Sequence, residues 1–486
     1  MAYRNEANEG RLILLPVLED LFATLHVEAG PPPAYPVPLA GTDREVFLYQ
    51  EPEVGSVEGF NRSFNVPFLF HADGTPWIEA NSFLYSELQN KSAKSRPTDE
   101  TRKLASELLE YLRFCEKEGI DWKDFSGDRP SLRPTYRYFN HLKTGSSRKN
   151  RVNNQYTGAV YRMFEFISEN WHDIKLDRVD KVKKYKHYIS TSHGSVVAER
   201  LKRSQTLPTP PESVPDYGKV RDDGEDLRPL TNDQLKNVRS ALMENRWDTD
   251  HRLMIDFALM TGARKQTVLT LRHKHIRSFQ VDQLNSNNTY ALRAGPGTGI
   301  DTKFDTNVRL EIPKGLGERL AIWIDSPESK KRQRKFRKIL RSHNVDDLPD
   351  GDEYVFLSDQ GNCYYMSKDD SRYPEVKSTP RGQVTQTIVK KLRRLTAGHL
   401  PKDFTFHWLR ATFGYQLFQY LQPAIQSGHL KPGDDISIIQ RRMSHKYRET
   451  TENYLKLFRM FDENMAAQED WEGWMMRGYS PENSEV

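Results

Sequence analysis

The sequence predicts a mainly α-helical protein with a small antiparallel sheet and an N-terminal α/β extension. Two stretches, 98–119 and 153–171, repeat apolar residues at helical spacing. Around Lys303, polar and apolar residues alternate instead, which is typical of a β-hairpin. With 486 residues, the chain is too long for one compact core, so several domains are expected.

Net charge is distributed unevenly along the chain. Residues 1–90 carry a balance of −9 and residues 462–486 a balance of −6, which leaves +20 for residues 91–461. A basic body with acidic ends indicates a polyanionic partner for the body, and nucleic acid fits this description best. The alternative is a solvated surface with uneven charge.

The composition excludes several classes of protein. No apolar run reaches the roughly 18 residues of a membrane helix. The apolar segment 11–27 is interrupted by Glu19 and Asp20 and lacks a basic leader, so we interpret it as an amphipathic helix and not as a signal peptide. Cys115 and Cys363 lie far apart, which excludes a disulfide framework or a zinc cluster and suits a reducing cytoplasm.

Residues 1–90 form an acidic module with a Pro-rich stretch. The segment VPFLFHADGTPWIEA (66–80) predicts a hairpin that turns at Asp73 and Gly74. Because the module is strongly acidic, we expect it to contact a protein or to regulate, and not to bind DNA.

Residues 91–203 are predicted to form a small helical domain with basic edges. Its first helix should begin at Thr98 and end near Gly119. The buried stripes of its two main helices are Leu104, Leu108, Tyr111, Leu112 and Cys115, then Val160, Phe164, Ile167 and Trp171. The basic stretches of this domain supply the candidate DNA contacts Lys149, Arg151, Lys183 and Lys184.

Residues 204–226 are rich in Pro, Asp and Gly, so we interpret them as a linker. A large domain, 227–461, follows, and Thr231 is expected to cap its first helix. Within it, segment 328–343 holds eight Lys and Arg residues. This segment is either a solvated face or a phosphate-contacting helix, whose candidate contacts are Arg332, Arg334 and Lys335.

Two motifs in the large domain carry arginine or lysine in settings that suit an anion. Arg264 follows Thr261 and Gly262, where one apolar helix ends and another begins. Lys303 is expected near the end of the first strand of the predicted hairpin.

Two further motifs carry histidine. His407 and Arg410 are three residues apart on a predicted helix, so they share a face. The separation of nine residues between His445 and Tyr454 suits a helix end, a turn and the next helix. Taken alone, each of these residues is more often an ordinary core or surface residue.

The ordered set of motifs resembles the active-site signature of the tyrosine recombinases, the phage-integrase family. TGARKQTVLTLR is similar to the box of the first arginine, and TKFDTNVRLEIP to the lysine hairpin. HWLRATFG is similar to the His-x-x-Arg box, and MSHKYRETTENYL to the final box. The resemblance covers roughly residues 228–460, and 96–190 resembles the core-binding domain of that family more loosely.

Two positions depart from the family pattern. Thr267 stands where the family usually has an acidic residue that orients the first arginine. Ser444 stands where the family usually has a glycine before the last histidine.

The resemblance implies a role for each motif residue: Tyr454 as nucleophile, Arg264 and Arg410 as phosphate ligands, Lys303 as general acid, His407 as base, and His445 as ligand of a non-bridging oxygen. Two arginines can neutralise a phosphodiester, and a tyrosine needs a base or a cationic pocket to attack near neutral pH. The bond energy is kept in a 3′-phosphotyrosine, so rejoining needs no ATP and no cofactor is expected. No carboxylate cluster for paired metals is visible in the sequence, so no metal is expected either.

The expected function is site-specific DNA recombination, for integration or excision of a mobile element. The alternatives are a dimer resolvase, a topoisomerase-like use of the same chemistry, or a catalytically silent DNA-binding regulator on the same fold. Expected partners are double-stranded DNA, further copies of the chain in a tetramer on two sites, and an accessory protein bound through 1–90. The acidic tail 462–486 would dock on a neighbouring protomer or pack on its own domain. A cytoplasmic, nucleoid-associated location without a membrane follows from these expectations.

Overall fold

The computed structural model describes residues 10–19, 34–38, 45–49, 62–91, 96–191, 194–209, 215, 218–222, 224–244, 247–343, 345 and 348–459. The predicted mainly α fold with small antiparallel sheets is confirmed, since all five sheets of these residues are two-stranded and antiparallel. Contacts group the chain into two units, Met1–Glu212 with Pro374–Lys377 and Ser213–Tyr373 with Ser378–Val486. The predicted tail 462–486 lies outside the described residues.

The first unit begins with four strands, β1 (Leu12–Leu18), β2 (Ala34–Pro38), β3 (Glu45–Tyr49) and β4 (Ser63–Leu69). Strand β1 pairs with β4, and β2 pairs with β3. The helices of this unit are α1 (Ile78–Asn90), α2 (Thr98–Lys117), α3 (Pro134–Gly145), α4 (Asn150–Asn170) and α5 (Leu176–Val179). Leu69 and Trp77 share one buried core with Tyr111 and Phe164, so the boundary predicted at residue 90 does not separate two cores.

One prediction for the N-terminal region is wrong, and one is confirmed over a shorter range. Segment 11–27 was expected to form a helix, but Leu12–Leu18 is a strand, since Pro16 disfavours a helix interior and β4 supplies a partner edge. The turn at Asp73 and Gly74 is present, with Gly74 at φ +85°. The predicted hairpin is present but short: Phe70 bridges Pro76, and the N–H of Trp77 donates to the carbonyl of Leu69. Helix α1 begins directly after it, and the strand before the turn also pairs with β1.

The predicted helices of 91–203 are present, and their apolar stripes are buried except at one position. Trp171 is 46% exposed because it caps the C-terminus of α4 instead of continuing the stripe. The basic stretch after α5 is a ribbon of two ten-residue strands, β5 (Val182–Thr191) and β6 (Gly194–Arg203). This ribbon corrects the sequence-based prediction, which gives only helices for this region.

The second unit begins with the short hairpin β7 (Val220–Asp222) and β8 (Glu225–Leu227). This hairpin corrects the predicted linker, because Val220 and Leu227 are buried in the core of the second unit. Thr231 caps α6 as predicted, and its side chain accepts a hydrogen bond from the backbone N–H of Gln234.

The remaining elements of the second unit surround one hydrophobic core. They are α6 (Asn232–Leu242), α7 (Thr249–Thr261), α8 (Lys265–Leu269), α9 (His273–Arg277), β9 (Thr289–Ala294), β10 (Val308–Pro313), α10 (Lys314–Asp325), α11 (Pro327–Arg341), α12 (Val384–Leu395), α13 (Trp408–Gln426), α14 (Asp434–Met443) and α15 (448–459). Across the described ranges, no helix is both long and apolar enough to span a membrane.

The hairpin predicted around Lys303 is formed by β9 and β10. Lys303 itself lies in the connection between them, in a short 3-10 turn, and not at the end of the first strand as predicted. The next two residues of this turn, Phe304 and Asp305, adopt left-handed backbone angles with φ of 58° and 52°. Such angles are unfavourable for residues other than glycine, so the surrounding structure holds this turn in a strained form.

Candidate active site

Arg264 is presented by a tight turn between α7 and α8. Gly262 ends α7 in the left-handed conformation, at φ +67°, and its N–H donates to the carbonyl of Ala258. A Cβ atom at Gly262 would lie 2.4 Å from Cδ1 of Phe413 on α13, so only glycine fits here. Because this turn packs closely against α13, Arg264 lies near Arg410, the arginine at the start of α13.

Arg410 lies in the first turn of α13 and is almost fully buried. Its Nη1 donates to the carbonyl of Gly262 at 2.6 Å, and its Nη2 donates to the carbonyl of Met443, the last residue of α14. Burial lowers the pKa of this arginine to about 10, with the neighbouring Arg264 adding to the effect. The guanidinium therefore joins the ends of α7 and α14 at one point.

His407 immediately precedes α13, three residues before Arg410. Burial, reinforced by Arg410, lowers its pKa to about 3, so the imidazole is neutral near pH 7. The ammonium of Lys303 also depresses the pKa of His407, which indicates that the β9–β10 connection reaches the same site.

His445 and Tyr454 are positioned by the end of α14 and by α15. Ser444 adopts left-handed angles, φ 50° and ψ 49°, so the chain turns sharply after α14. The Nδ1 of His445 hydrogen-bonds the hydroxyl of Thr451 at 3.0 Å, and its ring stacks on Tyr454 with centroids 5.1 Å apart. Burial, followed by the charge of Arg410, lowers the pKa of His445 to about 3.

Asp222 lies at the centre of the predicted residues, although the sequence reading did not select it. Its Oδ2 accepts a hydrogen bond from the Tyr454 hydroxyl at 3.1 Å. The same oxygen lies 3.8 Å from Nε of Arg410 and 3.9 Å from Nε2 of His407. The other carboxylate oxygen lies 3.8 Å from Nη2 of Arg264. The structure thus brings Arg264, His407, Arg410 and Tyr454 together around one carboxylate.

Charge at this carboxylate and at the tyrosine is strongly perturbed. Burial alone would raise the pKa of Asp222, but Arg410 and Arg264 together hold it below its usual value. Burial raises the pKa of Tyr454 far above its usual range, and Asp222 raises it further. At neutral pH, the site therefore holds an ionised aspartate and a protonated tyrosine.

A cavity of about 420 Å³ opens onto this cluster, and its lining includes Asp222, Arg264, Lys303, Arg410 and His445. A second cavity, of about 560 Å³, shares Arg264 and Lys303 with the first. Its lining adds Lys265, Lys390 and Arg393, so the approach to the cluster is basic. The cations of α12 were missed in the sequence, although its apolar residues repeat at helical spacing beside four Lys and Arg residues.

Thr267 does not contribute an acidic group, and it is buried. Its Oγ1 donates to the carbonyl of Asp301 at 3.0 Å, two residues before Lys303. The carboxylate beside Arg264 comes instead from Asp222, 42 residues before that arginine in the chain. Asp222 is hard to recognise from the sequence, because the strand that carries it, β7, is only three residues long.

The predicted DNA contacts fall into two groups. Lys149, Arg151, Lys183, Lys184, Arg334 and Lys335 are exposed. Arg332 is buried and contacts Asp250 at 2.7 Å and Asp359 at 2.6 Å. Its guanidinium is therefore committed to ion pairs inside the unit, which corrects the prediction that it contacts DNA.

No protein-family model matches the sequence, and a search of the curated proteins finds no match. Among solved structures, the chain is similar to the XerH site-specific recombinase bound to a palindromic difH substrate, at 13% identity and a TM-score of 0.37 over 80% of this chain and 88% of that one. It is similar to the Tn1549 transposon integrase with a circular-intermediate DNA, at 16% identity and a TM-score of 0.37, over 77% of this chain and 93% of that one. It is also similar to a lambda integrase dimer bound to a core site, at 14% identity and a TM-score of 0.37, over 77% and 94%. These structural neighbours are tyrosine recombinases.

Proposed function

We propose that this chain is a tyrosine-type site-specific DNA recombinase. One observation carries the proposal: the buried hydroxyl of Tyr454 points at the same anionic oxygen as Arg410 and His407. An anion held there by two arginines lies directly against the candidate nucleophile. A DNA phosphodiester in that position would be neutralised and in reach of the tyrosine oxygen.

In the proposed reaction, the Tyr454 oxygen attacks the phosphorus of the scissile phosphate. The tyrosine proton passes to His407, because the Nε2 of His407 and the tyrosine hydroxyl face the same anionic oxygen. The bond from phosphorus to the 5′-oxygen breaks, and Lys303 supplies a proton to that oxygen. A 3′-phosphotyrosine remains, and a 5′-hydroxyl from another strand reverses the steps to rejoin the DNA.

Arg264 and Arg410 would stabilise the charge that builds on the non-bridging oxygens in the transition state. His445 supports this role, since its Nε2 is buried and has no hydrogen-bond partner within the described part of the chain. A further phosphate oxygen would supply that partner. These assignments use side chains of this chain alone.

We propose that the DNA backbone is held by two sets of cations. In the second unit, Lys265, Lys390 and Arg393 line the approach to the cluster. In the first unit, Lys149 and Arg151 at the start of α4 and Lys183 and Lys184 on the β5–β6 ribbon are exposed. Contacts of this kind supply affinity that falls with salt, and little sequence information.

Integration or excision of a mobile element is the use that we propose for this chemistry, with copies of the chain assembling as a tetramer on two DNA sites. An accessory protein would bind through 1–90, whose balance of −9 disfavours a DNA contact. A cytoplasmic chain associated with the nucleoid fits this use.

The test is to trap a covalent adduct on nicked suicide substrates that carry the junctions flanking the gene. Wild type should form a 3′-adduct that Tyr454→Phe abolishes. Tyr420→Phe is the matched control, because Tyr420 is 79% exposed on α13, and it should form the adduct at the wild-type rate. Wild type that shifts these DNAs but forms no adduct would instead indicate a catalytically silent DNA-binding regulator.

A further inference from the structure

The position of Asp222 is set by the β7–β8 hairpin. Val220 and Leu227 anchor the base of the hairpin in the core, and Arg221 pairs with Asp226 across it at 2.7 Å. Asp222 ends the first strand, where the hairpin leaves the core and enters the cluster of cations. The carboxylate of Asp222 therefore lies in the site on the β7–β8 hairpin, which belongs to none of the four sequence motifs.

The surroundings of this carboxylate are those expected for a phosphate. Its two oxygens face Arg264, Arg410 and the hydroxyl of Tyr454. The candidate catalytic groups thus converge on one anion, and in this structure that anion belongs to the chain itself.

The fit of the carboxylate is loose, however. The ion pairs to Arg264 and Arg410 are both 3.8 Å long, whereas charge-assisted hydrogen bonds are about 2.7–2.9 Å. Nε of Arg410 and Nε2 of His445 are buried without a hydrogen-bond partner among the residues that the structure describes. A tetrahedral phosphodiester offers more acceptor directions than a planar carboxylate, so it would satisfy donors that Asp222 leaves unsatisfied.

We propose that Asp222 is an internal competitor for the phosphate site, so that the β7–β8 hairpin must withdraw before DNA is cleaved. This inference rests on the proposed function, since it identifies the anion site with the scissile phosphate. With Asp222 in place, a phosphate would meet a like charge, and the tyrosine proton is held by the aspartate. Withdrawal of the hairpin removes both obstacles in one movement.

A second role for Asp222 is to orient Arg264 in place of the carboxylate that Thr267 lacks. The geometry favours competition, because an orienting carboxylate would need to contact only the arginine. Asp222 instead also accepts the hydroxyl hydrogen bond of Tyr454, and it lies on the side of the arginines that faces the nucleophile. The two roles predict opposite effects of removing the charge.

The test measures binding of inorganic phosphate to the full-length chain without DNA, as the phosphate concentration that half-maximally protects against thermal unfolding. Asp222→Asn and Asp222→Ala should lower that concentration by at least about tenfold, because the competing carboxylate no longer reduces the fraction of binding-competent chain. Asp325→Asn is the matched control for loss of one carboxylate, since Asp325 is 71% exposed, and it should behave as wild type. Equal phosphate binding in wild type and in both Asp222 variants would overturn the inference.

Both variants are used because the cations that surround Asp222 repel one another once its charge is gone. Should Asp222→Ala unfold in the absence of phosphate and refold when phosphate is added, that rescue supports the inference. Asp222→Asn keeps a hydrogen-bond acceptor for Tyr454 and measures the effect of charge alone.

Suicide substrates separate this inference from the proposed function. The competitor role predicts faster adduct formation by Asp222→Asn than by wild type at subsaturating DNA. Slower formation at saturating DNA would mean that Asp222 orients Arg264, and the competitor role would be rejected. If no variant forms an adduct but phosphate still binds the Asp222 variants more tightly, the anion competition stands and the recombinase proposal fails.

Discussion

The hydroxyl of Thr267 donates a hydrogen bond to the backbone carbonyl of Asp301 at 3.0 Å. This bond connects α8, which follows Arg264, to the turn that carries Lys303. Thr267 thus links the motif of Arg264 to the motif of Lys303 by a hydrogen bond to the backbone. An acidic residue at the same position would instead form an ion pair with Arg264.

Replacing Thr267 by valine tests this connection. Thr267→Val keeps the shape but leaves the partly buried carbonyl of Asp301 without this donor, which should lower the free energy of unfolding by about 1 kcal/mol in urea titrations. Adduct formation should also slow at saturating DNA, because the turn of Lys303 is less well positioned. Thr267→Ser retains the hydroxyl and should recover the rate; a serine variant as slow as the valine variant would contradict this explanation.

Ser444 is predicted to be a strained position that glycine relieves. Its φ of 50° is unfavourable for a residue with a Cβ atom, by about 1–2 kcal/mol. Ser444→Gly should therefore raise the free energy of unfolding by about 1 kcal/mol or slightly less, since glycine also gains entropy in the unfolded chain. Ser444→Ala keeps the Cβ and should give no such gain. A glycine variant that is less stable than wild type would show that the serine makes a compensating contact.

Gly262→Ala is expected to be severely destabilising. The added Cβ would meet the Phe413 ring at 2.4 Å, in addition to the strain at φ +67°. Gly428 provides a matched control, because it also has a positive φ, +76°, but no atom within 4 Å of an added Cβ. Gly428→Ala should thus lose about 1–2 kcal/mol from strain alone, and Gly262→Ala about 1–3 kcal/mol more from overpacking. Equal losses in urea unfolding would argue against the close contact with α13.

Arg332 and Arg334 should respond differently to substitution, although they are two residues apart on α11. Arg332→Met leaves the buried carboxylate of Asp250 without a cation, although the Tyr364 hydroxyl still donates to it, and this should destabilise the chain by about 3 kcal/mol. Arg334 is exposed, so Arg334→Met should leave stability within about 0.5 kcal/mol. If segment 328–343 is a phosphate-contacting helix and not a solvated face, the Arg334 variant should instead weaken DNA binding and reduce the dependence of that binding on salt.

Stability should fall on mild acidification because of a partly buried histidine, His275. The Nδ1 of His275 accepts a hydrogen bond from the backbone N–H of Arg272, and its Nε2 lies 2.8 Å from the carbonyl of Thr298. Both nitrogens of the neutral ring are therefore hydrogen-bonded. Burial lowers its pKa from 6.5 to about 4. The unfolded chain therefore binds a proton below about pH 6.5 that the folded chain does not bind until about pH 4.

The sign follows from that difference in bound protons. The contribution of His275 is present above about pH 6.5, and about 2–3 kcal/mol should be lost as the pH falls towards 4. Urea unfolding from pH 7 to pH 4.5 measures the slope, which a His275→Gln variant should reduce. An unchanged slope in that variant would assign the acid sensitivity to other groups.

The recognised motifs could be predicted because each is local in sequence. His407 and Arg410 share one turn of α13, and Gly262 marks a helix end that only glycine permits. Helical stripes such as Leu104 to Cys115 were equally readable, since their spacing is a property of one segment.

The features that were missed depend on partners far away in the chain. Leu12–Leu18 became a strand because β4, about 50 residues later, supplies its edge. The β5–β6 ribbon contains charged residues on both strands, so its hydrophobic periodicity was weak. Asp222 looked like one of several linker carboxylates, and only the convergence of α7 and α13 on the β7–β8 hairpin distinguishes it.

The packing of α15 places Tyr454 in the core of its own chain. Tyr454 is fully buried, and the centroid of its ring lies 5.7 Å from that of Phe458. The ring of Phe458 in turn lies 5.5 Å from that of Tyr415 on α13, again between centroids. A tyrosine packed in this way in its own core cannot reach the site of a neighbouring copy unless that core unfolds. If the chain is the proposed recombinase, two defective chains, one lacking Tyr454 and one lacking Arg410, should therefore fail to complement each other when mixed.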